Sequence, residues 1–264
     1  MKALLIDLDD TLLDYSGGVD DCWLGACSAL TPVGVDPASL AEAVARARRW
    51  FWSDPERQRR ERVNMLGAWR KITSQALEEI GVPDGGLAAA IAEEFAERRW
   101  KCMTLFSGVA KALEELKRRG TPLALVTNGD ASHQRRKIEQ HDLRRFFDVI
   151  LIEGEFGTGK PDEAVYCHVL DALGARPCEA WMVGDHLEWD VAAPQRLGLY
   201  GVWVDAEGGG LPSTVTTRPD LIIRAFTEIL GIIADMDEGT GARLELVGRD
   251  QEAPAARKDR QGTT

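Results

Sequence analysis

The first apolar run, Ala3-Leu4-Leu5-Ile6, is too short for a helix and passes directly into Asp7-Leu8-Asp9-Asp10-Thr11. It reads as a buried strand with carboxylates at its C-terminal tip. From about Ser16 to Trp100 period-two alternation is absent and apolar residues recur at helical spacing, predicting helices near 20–30, 38–52, 57–80 and 86–101. Breaks fall at Thr31-Pro32, Asp54-Pro55 and Pro83-Asp84-Gly85-Gly86, where proline and glycine stop regular structure. From Gly108 onward the two periods alternate. Helices are predicted near 108–119, 132–141, 162–173 and 188–197, and strands at Leu123-Ala124-Leu125-Val126, Asp148-Val149-Ile150-Leu151-Ile152, Ala180-Trp181-Met182-Val183 and Tyr200-Gly201-Val202-Trp203-Val204.

Such repeated βα units predict an α/β fold with a doubly wound parallel sheet. The first strand joins that sheet, so the helical block becomes an insertion lying over the carboxyl ends of the strands, where sheets of this kind bind ligands. The expected organisation is a catalytic core of residues 1–15 and 104–234 and an inserted all-helical cap of residues 16–103. A closing helix is predicted near 223–232. The segment 235–264, rich in charge, glycine and small residues and without aromatics, is expected to be a flexible tail.

Composition narrows the functional classes. The 264 residues are 44% hydrophobic, enough for a sizeable core, and carry a net charge of −11, which argues against nucleic-acid or membrane-surface partners. No apolar stretch reaches the roughly 18 residues of a membrane span, and strand residues begin at position 3, so a cytoplasmic location is expected. The five cysteines are odd in number and form no C-x-x-C pair, pointing to reduced thiols rather than a disulfide framework or zinc site.

The chemistry collects at the strand ends. Side chains alternate along a strand, so Asp7 and Asp9 project the same way while Leu8 packs behind them. Carboxylates at the end of a buried strand are costly unless a cation compensates them. A pair of this kind suits Mg2+ binding, nucleophilic attack by one member and proton transfer by the other; the alternative is a polar turn capped by Asp10 or Thr11. Thr127-Asn128-Gly129 offers a hydroxyl, an amide and glycine-exposed N–H groups to an oxyanion, or simply starts a helix. Lys160 could neutralise a phosphoryl group, or be a solvated lysine before a helix opening on Pro161. Residues 154–160 match G-x-x-x-x-G-K, but Pro161 has no hydroxyl for a metal, which excludes a nucleotide P-loop. Asp185 is placed to complete a metal site with Asp7 and Asp9, with Asp190 behind it as partner to a metal-bound water or to a lysine. Asp185 or Glu188 as a helix cap is the alternative. His186 reads as a polar rim residue.

Taken in order, D-L-D-D-T-L, T-N-G-D, G-x-G-K-P and G-D-x-x-x-x-D resemble the haloacid dehalogenase-like (HAD) hydrolase superfamily over about residues 3–232. The helical insertion resembles its C1 cap. The stretch 125–130, with Gln134-Arg135-Arg136-Lys137-Ile138-Glu139, resembles the branch of N-acylneuraminate-9-phosphatases and their relatives. The resemblance implies Asp7 as nucleophile and Asp9 as acid/base. It further implies Thr127 and Lys160 as phosphate ligands, backbone amides near Asn128 and Gly129 as further substrate contacts, and Mg2+ held by Asp7, the Asp9 carbonyl oxygen and Asp185. Two features depart from the pattern: Ser107 stands where relatives often have proline, and Glu153-Gly154-Glu155 where they often have serine.

The expectation is therefore a Mg2+-dependent phosphatase that hydrolyses small phosphomonoesters, such as sugar phosphates, through an aspartyl-phosphate. Rivals are a nucleoside 5'-monophosphate phosphatase, a phosphomutase, a 2-haloacid dehalogenase and, from a different class, a phosphoaccepting binding module. Asp9 argues against the dehalogenase, whose halide leaving group needs no proton. An inserted cap of this size argues against a one-domain receiver. Arg57, Arg59, Arg60 and Arg62 form a basic run in the cap that reads as a solvated face or as a substrate patch. Trp50, Phe51, Trp52 and Trp69 read as cap core more than as a stacking platform.

Overall fold

In this computed structural model residues 1–237 are described. The chain opens with β1 (Ala3–Ile6), continues through α1 (Val19–Leu30), α2 (Pro37–Trp52), α3 (Pro55–Glu61), α4 (Met65–Glu79) and α5 (Gly85–Cys102), and then alternates. The alternating part comprises α6 (Val109–Arg118), β2 (Leu123–Thr127), α7 (Ala131–Gln140), β3 (Val149–Ile152), the single turn α8 (Glu153–Phe156), α9 (Glu163–Leu173), β4 (Ala180–Gly184), α10 (Ala193–Leu197), β5 (Tyr200–Val204), β6 (Leu221–Ile223) and α11 (Ile229–Asp237).

The sheet has six parallel strands in the order β3-β2-β1-β4-β5-β6. Every residue of β1 is fully buried. Its period-two pattern divides the apolar core into two layers: Leu4 and Ile6 pack with the α6 residues Leu113 and Leu116, while Ala3 and Leu5 pack with Val165, Tyr166 and Val169 of α9. Chain order reverses at β1, between β2 and β4, so the crevice at the carboxyl ends of these strands is the topological switch point.

The helices α1 to α5 build a separate apolar cluster that includes Cys22, Trp23, Val44, Ile72, Ile91 and Phe95. Trp23 stacks on Phe95 at 3.7 Å, and Trp69 meets the same ring edge-on at 5.0 Å. Their starts are written locally. Asp36, Asp54 and Asp84 accept backbone N–H bonds as N-caps, the first two before a proline at the first helical position.

Four sequence expectations are corrected. The helix expected over 57–80 is two helices, because the Asn64 side chain accepts the Gly67 N–H at 3.0 Å and starts α4 anew. The helix expected near 188–197 begins as a π-helical turn, Leu187–Ala192, since Pro194 has no N–H to return to the Asp190 carbonyl. The closing helix near 223–232 starts later: residues 221–223 add a sixth strand to β5, and Glu228 Oε1 accepts the Arg224 and Ala225 N–H groups before α11 begins. That helix continues to Asp237, so the boundary drawn at 235 falls inside it, and residues 238–264 of the expected tail lie outside the described residues. No helix among the described residues is long and apolar enough to cross a membrane.

Candidate active site

Asp7 leaves the tip of β1 with its N–H donating to the Val183 carbonyl of β4 at 2.9 Å, which locks the strand end against its neighbour. Lys160 reaches under it from the loop before α9. Its ammonium, on a side chain 1% exposed, donates to Asp7 Oδ1 and to Asp190 Oδ1, both at 2.6 Å. The Asn128 amide holds this loop by accepting the Lys160 N–H and donating to the Lys160 carbonyl, each at 2.8 Å. Asp190 also accepts the His186 N–H at 3.0 Å. Its approach requires Gly184, because a Cβ there would stand 2.3 Å from the Asp190 carboxyl carbon. Gly159 is needed for a similar reason, since its Cβ would fall 2.5 Å from Asn128 Oδ1.

One oxygen each of Asp7, Asp185 and Asp190 lies within 4.8 Å of the others. Burial pushes the Asp7 carboxyl up to about 7 despite the nearby Lys160 ammonium, and burial, followed by the Asp7 charge, pushes Asp185 up to about 8. Burial acts against the Lys160 charge, but Asp190 and Asp7 outweigh it and hold its pKa above the ordinary value. A cluster of oxygen donors with more carboxylates than the single lysine can neutralise suits a hard divalent cation such as Mg2+.

Asp9 is held by a different set of partners. Its carboxylate stands outside the Asp7, Asp185 and Asp190 cluster and accepts from Lys137 Nζ at 2.8 and 2.7 Å and from Gln134 Nε2 at 3.0 Å. Lys137 is buried, and burial lowers its pKa against the opposing pull of Asp9. Gln134 Nε2 also donates to Thr127 Oγ1 at 2.5 Å. These two α7 residues were missed as site residues; their spacing of three, which puts both on one helix face, was the signal available. Asp10 follows the structural alternative: its backbone is left-handed at φ 57°, and its carboxylate accepts the Tyr15 and Ser16 N–H groups.

Gly129, expected to let backbone N–H groups approach an oxyanion, donates its own N–H to Glu153 Oε2 at 2.8 Å. Glu153 in turn holds Arg62 of the α3–α4 junction through two bonds of 2.7 and 2.6 Å, with both side chains largely buried. This pair ties the helical unit to the sheet. The basic run is thereby divided: Arg59 and Arg60 are exposed, Arg57 lies over the Trp50 ring at 3.8 Å, and Arg62 is engaged by Glu153. The aromatics divide too, with Phe51 buried, Trp50 53% exposed, and Trp52 and Trp69 on the wall of a cavity.

That cavity, about 470 Å³, lies between α1–α5 and the strand ends and is lined by Asp7, Asp9, Thr127, Asn128, Gly129, Asp185 and Asp190 from below. Lys160 is behind Asp7 rather than on the wall. His133 sits between the rings of Trp69 and Trp100. His186 also lines the cavity, stacked on Trp189 at 3.9 Å.

Residues 1–198 match the model of the haloacid dehalogenase-like hydrolase family. The chain belongs to this family. Within the haloacid dehalogenase-like hydrolases it is similar to the phosphoserine phosphatase of Thermus thermophilus, with 33% identity over 250 residues, 87% of this chain and 98% of that protein. It is also similar to the N-acylneuraminate-9-phosphatase of Rattus norvegicus, with 36% identity over 140 residues, covering 53% of this chain and 56% of the relative. The fold is shared with the magnesium-bound HAD-hydrolase YfnB of Bacillus subtilis, at a TM-score of 0.69 and 22% identity, covering 88% of this chain and 98% of that one. By family this chain is a hydrolase, and the two curated relatives are named as phosphatases.

Proposed function

We propose that this protein is a Mg2+-dependent, cytoplasmic phosphatase that cleaves small phosphorylated metabolites through an aspartyl-phosphate on Asp7. One observation carries the reading: Asp7 lines the cavity with one oxygen held by a buried lysine, while a second carboxylate, Asp9, is fixed separately on the same wall. Asp7 attacks phosphorus, the P–O bond to the leaving group breaks, and Asp9 gives that oxygen its proton. Water then attacks the phosphorus of the aspartyl-phosphate, passing its proton to Asp9 and freeing Asp7 and inorganic phosphate. Thr127 and backbone N–H groups near Asn128 meet the charge on the phosphoryl oxygens, and the Lys160 ammonium adds positive charge from behind Asp7.

Asp7, Asp185 and the Asp9 carbonyl oxygen would hold Mg2+, with Asp190 supporting them beside Lys160; when bound, the ion supplies positive charge against the phosphoryl oxygens. The helical unit 16–103 acts as a cap that closes the cavity and excludes competing water. Relatives named for phosphoserine and N-acylneuraminate 9-phosphate support a small phosphorylated substrate. Asp9 weighs against the dehalogenase alternative, since a halide leaves without a proton.

Phosphate release from an aryl phosphate, measured with and without a chelator, tests both metal and reaction. Full turnover in chelator would remove the metal assignment. Asp7→Asn should be folded and without turnover, and wild-type protein quenched during turnover should carry phosphate on Asp7; a near-normal rate in the variant would show that another group attacks.

A further inference from the structure

Two residues of the cap wall of the cavity carry a buried hydrogen-bond donor without a partner among the described residues: Arg48 on α2, through Nη1, and Trp23 on α1, through Nε1. Both are donors only, so neither can satisfy the other, and an unsatisfied buried donor keeps its full desolvation cost. They belong to one locality. Arg48 Nη2 bonds Asp20 Oδ1 at 2.9 Å, and Asp20 lies three residues before Trp23, on the same side of α1. Trp23 is 2% exposed and locked by its stack on Phe95, so its N–H cannot turn to solvent.

The other cations around the cavity are engaged. Arg62 is held by Glu153, Arg99 by the Tyr15 and Gly17 carbonyls, and Lys137 by Asp9. Arg48 thus keeps a donor for a ligand. A guanidinium N–H and an indole N–H together want an acceptor that is negative and offers two oxygens. The charge balance selects among oxyanions. Asp20 already offsets part of the Arg48 charge, and Trp23, Phe95 and Trp69 form apolar walls in which a dianion would be poorly compensated. A carboxylate fits and a second phosphate does not.

We propose that Arg48 and Trp23 form a subsite for a carboxylate on the leaving group, so that the substrate class is phosphomonoesters of hydroxy or amino acids. This rests on the proposed phosphatase site for the position of the phosphoryl group. Binding at both ends would fix the ester oxygen against Asp7 and Asp9, and a neutral leaving group would leave two donors stranded.

The test uses full-length protein with Mg2+ and matched substrates of two lengths: phosphoserine against phosphoethanolamine, and 6-phosphogluconate against glucitol 6-phosphate. At least one carboxylated member should be preferred in kcat/KM by about 10- to 100-fold, the range of a charge-assisted hydrogen bond. Arg48→Gln should abolish that preference while leaving the member without a carboxylate and an aryl phosphate within about twofold, Arg48→Lys should restore part of it, and Trp23→Phe should reduce it. If Arg48→Gln does not fold, Arg48→Lys and Trp23→Phe carry the comparison. Absence of preference in both wild-type pairs, equal loss on both members, or stronger use of a bisphosphate would overturn the subsite. If no monoester is turned over, the phosphatase mechanism fails separately. Calorimetric binding of the same pairs in chelator still decides the subsite, with equal affinities overturning it and an Arg48-dependent difference supporting it.

Discussion

Replacing Arg62 by methionine removes the one guanidinium of the basic run that the fold has buried. Its two bonds to Glu153 measure 2.7 and 2.6 Å, the side chains are 11% and 7% exposed, and Glu153 is simultaneously the acceptor for Gly129 N–H. Without Arg62 the Glu153 carboxylate remains in a site closed to water with a single N–H donor. Breaking a buried pair from one side costs about 3–5 kcal/mol. Glu153→Gln keeps an acceptor for Gly129 but loses the charge, and should cost about 1.5–3 kcal/mol, the worth of a hydrogen bond to a charged group. The double variant strands no charge, so a double-mutant cycle should return a coupling of about 2 kcal/mol or more. Arg59→Gln and Arg60→Gln serve as internal controls. Arg59 is exposed and Arg60, 71% exposed, pairs with its neighbour Glu61, so each should stay within about 0.5 kcal/mol of wild type. Urea unfolding followed by both tryptophan fluorescence and circular dichroism measures these values and shows whether the cap and the core unfold together. A cost for Arg62→Met no larger than for Arg59→Gln, or an additive cycle, would refute the claim that this pair joins cap to core.

Lys160→Met removes the ammonium between Asp7 and Asp190 and should lower kcat by about 10²–10³, read as phosphate release at saturating substrate; a smaller loss than tenfold would show that Lys160 serves only the fold. Lys137→Met frees the Asp9 carboxylate from its anchor, so turnover of alkyl phosphates, which need a proton on the leaving oxygen, should fall more than that of aryl phosphates. Equal losses would argue that Lys137 does not position the acid. Burial lowers the pKa of His133 between Trp69 and Trp100, so the unfolded chain takes up the proton first as pH falls through about 6.5, and stability should decline below that pH. His133→Phe should flatten the decline in thermal melts taken between pH 5 and pH 7.5, and an unaltered slope would assign it to other groups.

What the amino-acid sequence determines here is mostly local. The short, continuously apolar run of β1 points to a strand covered on both faces, and the carboxylates after it mark a strand end rather than a core. The alternation of helical and strand periods after Gly108 leads to a parallel sheet, and the motif order D-L-D-D-T-L, T-N-G-D, G-x-G-K-P and G-D-x-x-x-x-D identifies the family before any contact is known. The aspartate–proline pairs likewise announce α2 and α3, because a capping side chain acts within one turn of backbone.

Tertiary structure decides everything that depends on which face of an element meets which neighbour. Lys137 lies 128 residues from Asp9, and its spacing from Gln134 gives it a helix face but no partner until α7 packs beside the β1 tip. The same holds for Arg62 among its neighbours: helical spacing places it on a face, but only Glu153, 91 residues away, makes that face interior. Gly129 carries the backbone freedom expected of an oxyanion loop, yet its N–H is claimed by a side chain from another strand end. Nothing in the sequence singles out Trp23 or Arg48. Their unpartnered donors exist only because α1 and α2 pack those two side chains onto a cavity shared with the sheet. Periodicity fixes an angle around one helix axis; burial and partners arise from the second body packed against it, and that body is distant in the chain.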